Sequence, residues 1–179
     1  GGSAAGGGVS QAGSYLFGGV LFAGLLGMTA IASREVGSAD QEAAVAAAIR
    51  TLLADYVGKD TIEGRGETTG PLYLCLTREV ELDTKKIASE LFSTVIHPIL
   101  VEDCASRRVE GNFGMFTAMT YHFAPNGEEA GHMTVADIKC SGPTRCIVDL
   151  DMVGSGDRYS VQRSGTRWRV VAQRNRWIV

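Results

Sequence analysis

Hydrophobic and polar positions fall into three rhythms along the chain. Residues 14–33, "SYLFGGVLFAGLLGMTAIAS", carry no charge and no polar face. Two later stretches repeat their apolar residues at helical intervals, and the last third alternates with a period of two. In the first helical stretch, residues 38–57, Ser38 and Gln41 have capping-box spacing, and Val45, Ile49, Leu52, Leu53 and Tyr56 form the inner face before Gly58. The dense apolar run Leu72-Tyr73-Leu74-Cys75-Leu76 predicts a short buried strand. Asp83 caps a second predicted helix running to about Ile96. Leu82 and Ile87 are spaced as a staple, Ile87, Leu91 and Val95 face inward, and His97-Pro98 is the stop.

From Phe113 the alternation predicts strands at 113–123, 133–140, 146–153, 159–163 and 168–172. Their links carry Pro125-Asn126-Gly127, Gly142-Pro143, Gly154-Ser155-Gly156 and Ser164-Gly165. Short links favour antiparallel neighbours. Helices first and strands last give the class α+β, with the two helices packed on a curved antiparallel β-meander.

Charge separates the opening from the rest, since all 17 basic and 20 acidic residues lie at or after Arg34. The expected organisation is a flexible Gly/Ser tail at 1–13, a transmembrane helix at 14–33 and an α+β domain at 34–179. A helix of 20 residues rises about 30 Å, the thickness of a bilayer's hydrocarbon core. Gly19, Ala23 and Gly27 recur every four residues and form a smooth stripe, the pattern through which membrane helices pack. The rival reading is a cleaved export signal, with Ala30-Ile31-Ala32 before Ser33 as the small-x-small site; no basic residue precedes the apolar run. Either reading carries the following domain across a membrane.

Four cysteines allow three pairings. Cys140 and Cys146 flank a tight turn, which brings them within disulfide reach and leaves Cys75 with Cys104. The alternative is four independent thiols, with Cys75 a small buried hydrophobe. Disulfides belong to oxidising compartments such as the periplasm. The expected location is therefore a bacterial inner membrane, crossed once, with the main domain periplasmic.

Little catalytic apparatus is visible. Nucleophile elbow, phosphate loop, dinucleotide fingerprint and haem-attachment motif are all missing from the sequence. His122 and His132 lie equally far from Gly127 and can face each other across a hairpin, but a metal would need a third ligand. They read as polar residues near an exposed hairpin end, His97 as a helix-terminal residue, and Asp149 and Asp151 as a solvated strand face. No cofactor and no metal are expected. After Asp157 come Arg158, Arg163, Arg167, Arg169, Arg174 and Arg176 with no acid, interleaved with Trp168 and Trp177. Trp168 is expected to face the core. The arginines and Trp177 form either a basic outer face balanced by acids elsewhere, or a surface docking a partner subunit or anionic lipid headgroups. A net charge of −3 argues against nucleic acid.

The run from "IRTLLADYVGKD" through "LYLCLTREV" and "VIHPILVEDCASRRV" to "DRYSVQRSGTRWRVV" resembles a loose group of small exported bacterial proteins, with Pro98, Cys104, Tyr159, Gly165 and Trp168 in comparable places. That resemblance implies no activity. A single span, a helix and a meander ending in "RWRVV" is also similar to membrane-anchored nuclear-transport-factor-like domains. Examples are the inner-membrane scaffold subunits of type IV secretion systems and Mce-associated proteins. This second resemblance implies a non-catalytic assembly role and carries over no functional residue. The expected function is thus an accessory subunit that braces or docks within a photosynthetic, respiratory or secretory complex, its partners being other membrane subunits and lipid. A small exported enzyme or ligand binder, with a pocket between sheet and helices, is the alternative.

Overall fold

A computed structural model describes residues 41–66 and 70–179. The expected tail at 1–13, the span at 14–33 with Gly19, Ala23 and Gly27, and the Ser38 cap lie outside the described residues. Among the described residues no helix is long and apolar enough to cross a membrane.

Helix α1 occupies residues 41–57 and is followed by the single turn α2 (Lys59–Ile62). Strand β1 (Leu72–Arg78), helix α3 (Thr84–Glu90) and strand β2 (Ile96–Leu100) come next, then a 3-10 turn at Val101–Asp103. The remaining strands are β3 (Ala105–Phe113), β4 (Phe116–Phe123), β5 (Glu129–Cys140), β6 (Arg145–Met152), β7 (Ser155–Ser164) and β8 (Arg167–Ile178). The sheet order is β2-β1-β5-β6-β7-β8, and the β3–β4 hairpin joins through the first residues of β5.

The class is α+β as expected, but the sheet is mixed rather than an antiparallel meander. Strands β5 to β8 do meander. By contrast, β1 lies parallel to both β2 and β5. The link from β1 to β2 carries α3, a crossover long enough to return the chain in the same direction. Between two neighbours, β1 buries Leu74, Cys75 and Leu76 in succession, the unbroken apolar run of a strand covered on both faces.

Helix α3 begins as predicted. The Asp83 carboxylate accepts from the Lys85 and Lys86 amides at 2.9 and 3.4 Å, and the staple residues Leu82 and Ile87 are buried. It ends at Glu90 rather than Ile96. Thr94 Oγ1 donates to the Leu91 carbonyl at 2.7 Å and accepts the Ile96 amide at 3.2 Å, diverting the backbone from the helix. The Val95 amide bonds to Ile62 and its carbonyl accepts from Leu72, drawing the segment into the sheet. His97 and Pro98 therefore lie in edge strand β2, where a proline's missing N–H is tolerated. His97 packs on the Tyr73 ring, 5.7 Å between centroids, instead of ending a helix.

One face of the sheet makes the core. Val45, Ile49 and Leu52 of α1 and Ile87 of α3 with its cap Leu91 cluster with Leu76, Met133, Val135, Val148, Leu150, Tyr159 and Trp168. The two helices are tied where Glu42 accepts the Asp83 amide at 3.1 Å and Arg50 donates to the Glu90 carbonyl at 2.8 Å.

Both expected disulfides form. Cys140 and Cys146 are direct partners on β5 and β6, with Cα atoms 4.0 Å apart. Cys75–Cys104 spans 6.3 Å and fastens the root of β3 to the outer face of the sheet.

Candidate functional site

Three groups of polar side chains occupy the outer face and free edge of the sheet. The first is an ion-pair cluster on β5, β6, β7 and β8. In β6, Val148 and Leu150 turn to the core, so Asp149 and Asp151 turn outward. Asp149 is registered against Arg158, which donates Nε to Oδ1 and Nη2 to Oδ2, both at 2.6 Å. Between the pairs Gly156–Trp177 and Asp157–Asn175 the register shifts, leaving Arg176 as the extra residue. The bulge aims its guanidinium back over the strands, 3.4 Å from Asp149 Oδ2 and 2.9 Å from Asp151 Oδ1. Lys139 completes the cluster by pairing with Asp137.

Asp149 is only 3% exposed, so it is not part of a solvated face as its alternation implied. Burial works to raise its pKa, but the Arg158 hydrogen bond and the charges of Arg176, Arg158 and Lys139 prevail and hold it below the usual carboxylate range. The same pairing, led by the hydrogen bond to Asp149, raises the Arg158 pKa. Three acids and three bases balance. The cluster is therefore a lattice whose charges answer one another among the described residues.

Gly156 belongs to this cluster for a steric reason. A Cβ there would collide with the Trp177 indole nitrogen and the Asp151 carboxylate, both seated over its backbone.

The second group is the histidine pair. His122 opposes Ala130 on β5, so His132 lies two residues along, on the diagonal. The rings stack, with centroids 4.4 Å apart and planes inclined by 13°. His132 Nε2 shares a 2.8 Å hydrogen bond with Thr77 Oγ1 of β1, while His122 Nδ1 is buried with no hydrogen-bond partner among the described residues. Burial lowers the pKa of His122; burial and then the neighbouring His122 lower that of His132. Instead of marking an exposed hairpin end, the pair lines a cleft of about 330 Å³ with Phe116, Ala118, Met119, Thr120 and Val153. Among the described residues no three metal-ligating side chains converge. Imidazole lone pairs lie in the ring plane, so parallel stacked rings cannot both be directed at one ion between them.

The third group is the edge strand itself. Among the described residues β8 pairs only with β7. Trp168 faces the core as expected, at 9% exposure. Arg167, Arg169 and Arg174 are exposed and make no ion pair among the described residues, while Arg163 is half-buried and engaged. Val171, Ile178 and Val179 stand exposed beside them. The six arginines read from the sequence as one surface thus separate: Arg158 and Arg176 are consumed internally, and Arg167, Arg169 and Arg174 stay open.

Two features had no signal in the sequence. Thr77 meets His132 only because β1 and β5 are neighbours, and Arg50 and Lys59 border the start of β8 only through tertiary packing. Comparison with protein-family models, curated proteins and solved structures returned no match.

Proposed function

We infer that this chain is a non-catalytic accessory subunit, held in a bacterial inner membrane by the apolar stretch 14–33, that docks within a larger membrane complex through its periplasmic domain. The observation that carries the reading is the free edge of β8, a 12-residue strand bearing uncompensated arginines and exposed apolar side chains. Long unpaired edges invite association with another chain. The two disulfides agree with an oxidising compartment. The stripe of Gly19, Ala23 and Gly27 supplies a membrane-level contact in the same assembly.

The test is purification of the full chain from its native membrane in mild detergent, with mass spectrometry of its N-terminus and partners. An uncleaved chain copurifying in fixed ratio with integral membrane subunits supports the reading. A soluble lone monomer beginning at Ser33 overturns it.

A further inference from the structure

Two open grooves lie between α1 and parts of β8. The first, about 740 Å³, has Ala43 to Thr51 of α1 on one side and five consecutive residues, Thr166 to Val170, on the other. Consecutive strand residues point to alternate faces. Thr166 belongs to the turn before β8, and a groove touched by Arg167 to Val170 reaches both faces of the strand's start and the free edge between them. The second groove, about 510 Å³, lies over the β7–β8 pair, between Leu52 and Tyr56 of α1 and the strand residues Ser155 and Asp157 of β7 and Gln173, Arg174, Asn175 and Ile178 of β8.

Their charges differ. The first holds Arg50, Lys59, Arg167 and Arg169 against Glu63 and Glu90, and among the described residues Lys59 is the only one of these cations in an ion pair, 3.9 Å from Glu63. The second has Arg174 against Asp55 and Asp157, with an apolar wall of Leu52, Tyr56 and Ile178.

We propose that β8 takes an extended segment of a partner protein by strand addition, with acidic side chains at the Arg167–Arg169 groove and an apolar continuation at the Tyr56–Ile178 groove. This rests on the subunit reading above and names the partner's chemistry. Backbone hydrogen bonds along the edge supply affinity, and the grooves select side chains. A second copy of this chain fits less well. Arg167, Arg169, Arg174 and Arg176 are the only charged residues of β8, so pairing it with itself sets cation against cation. A lipid headgroup would use the charges but not the strand edge.

The test uses the full chain in neutral detergent micelles and a nine-residue capped peptide alternating Glu and Val. Three controls accompany it: the Lys/Val counterpart, the Glu/Val peptide N-methylated throughout, and phosphatidylglycerol vesicles. Hydrogen exchange reads the β8 amides. The Glu/Val peptide is expected to bind and slow exchange of amides not already paired with β7. The Lys/Val and N-methylated peptides are expected to do neither. Combined Arg167→Glu, Arg169→Glu and Arg174→Glu substitution, with fold checked by circular dichroism, weakens binding by about tenfold or more. Equal binding of the N-methylated or Lys/Val peptide overturns the proposal. So does protection of β8 by vesicles alone, or by raising protein concentration without peptide. If the triple variant still copurifies with the native membrane complex, this proposal falls and the subunit reading stands.

Discussion

Arg158 holds Asp149 across the β6–β7 pair with two parallel hydrogen bonds of 2.6 Å, on a carboxylate the fold has removed from water. Planar guanidinium matches planar carboxylate, and direct register between the two residues puts them within reach without strain on either strand. The pair explains why an acid can be buried on the outer side of a sheet. It also withdraws an arginine from the surface.

Substitution Asp149→Asn keeps the shape but removes the charge facing Arg158 and Arg176. The expected loss is about 1.5–3 kcal/mol, the range for hydrogen bonds to charged groups, measured by urea unfolding at neutral pH. Because the folded carboxyl titrates below its unfolded value, its contribution is complete above about pH 4 and is lost as pH falls through the folded pKa. The acid limb of the stability profile should therefore be shallower in D149N than in the parent. Superimposable limbs would remove Asp149 from the account.

Gly156→Ala tests the packing of Trp177. Backbone freedom is not at issue, since Gly156 is not among the positive-φ glycines. The added methyl must displace the indole or the Asp151 carboxylate. Overpacking of this kind costs about 1–3 kcal/mol. Trp177 fluorescence should shift to the red as the ring moves into solvent. An unchanged spectrum and midpoint would contradict the packing.

The two disulfides should differ in what they hold. Removing Cys75–Cys104, which closes a separation of 29 residues, is expected to cost about 3–4 kcal/mol in the chain-entropy model. It should also free the β3–β4 hairpin to exchange its amides. Removing Cys140–Cys146, separated by 6 residues, should cost about 2 kcal/mol and leave that hairpin protected. Guanidinium unfolding and hydrogen exchange on C75S/C104S and C140S/C146S variants read both effects.

Protonation of the stacked histidines should loosen the same hairpin. Both folded pKa values lie below the ordinary imidazole value of about 6.5, so the stabilisation is complete above that pH and is lost as pH falls through the folded values. Stability should decline from pH 7.5 to 5.5 in the parent and less so in H122Q/H132Q. Imidazole titrations by nuclear magnetic resonance give the two pKa values directly; values at or above the ordinary one would refute the burial argument.

Local chemistry in the chain was enough for several features. Asp83 as a cap, the Leu82–Ile87 staple, the inward turn of Trp168, the alternation of Asp149 with Val148 and Leu150, and the disulfide across a short turn all depend on residues close in sequence. Nearby residues fix local periodicity, and periodicity fixes which side chains share a face. Strand order obeys no such rule. That β1 lies parallel between β2 and β5, that Val95 leaves its helix to join β1, that a bulge turns Arg176 back onto Asp149 and Asp151, and that β8 ends the sheet of the described residues with one edge open are settled by pairings between distant segments. The six arginines show the difference most plainly. Sequence alone assembled them as one basic group, and only the tertiary structure, by supplying the carboxylates of β6 to two and an open edge to three, decided which can meet a partner.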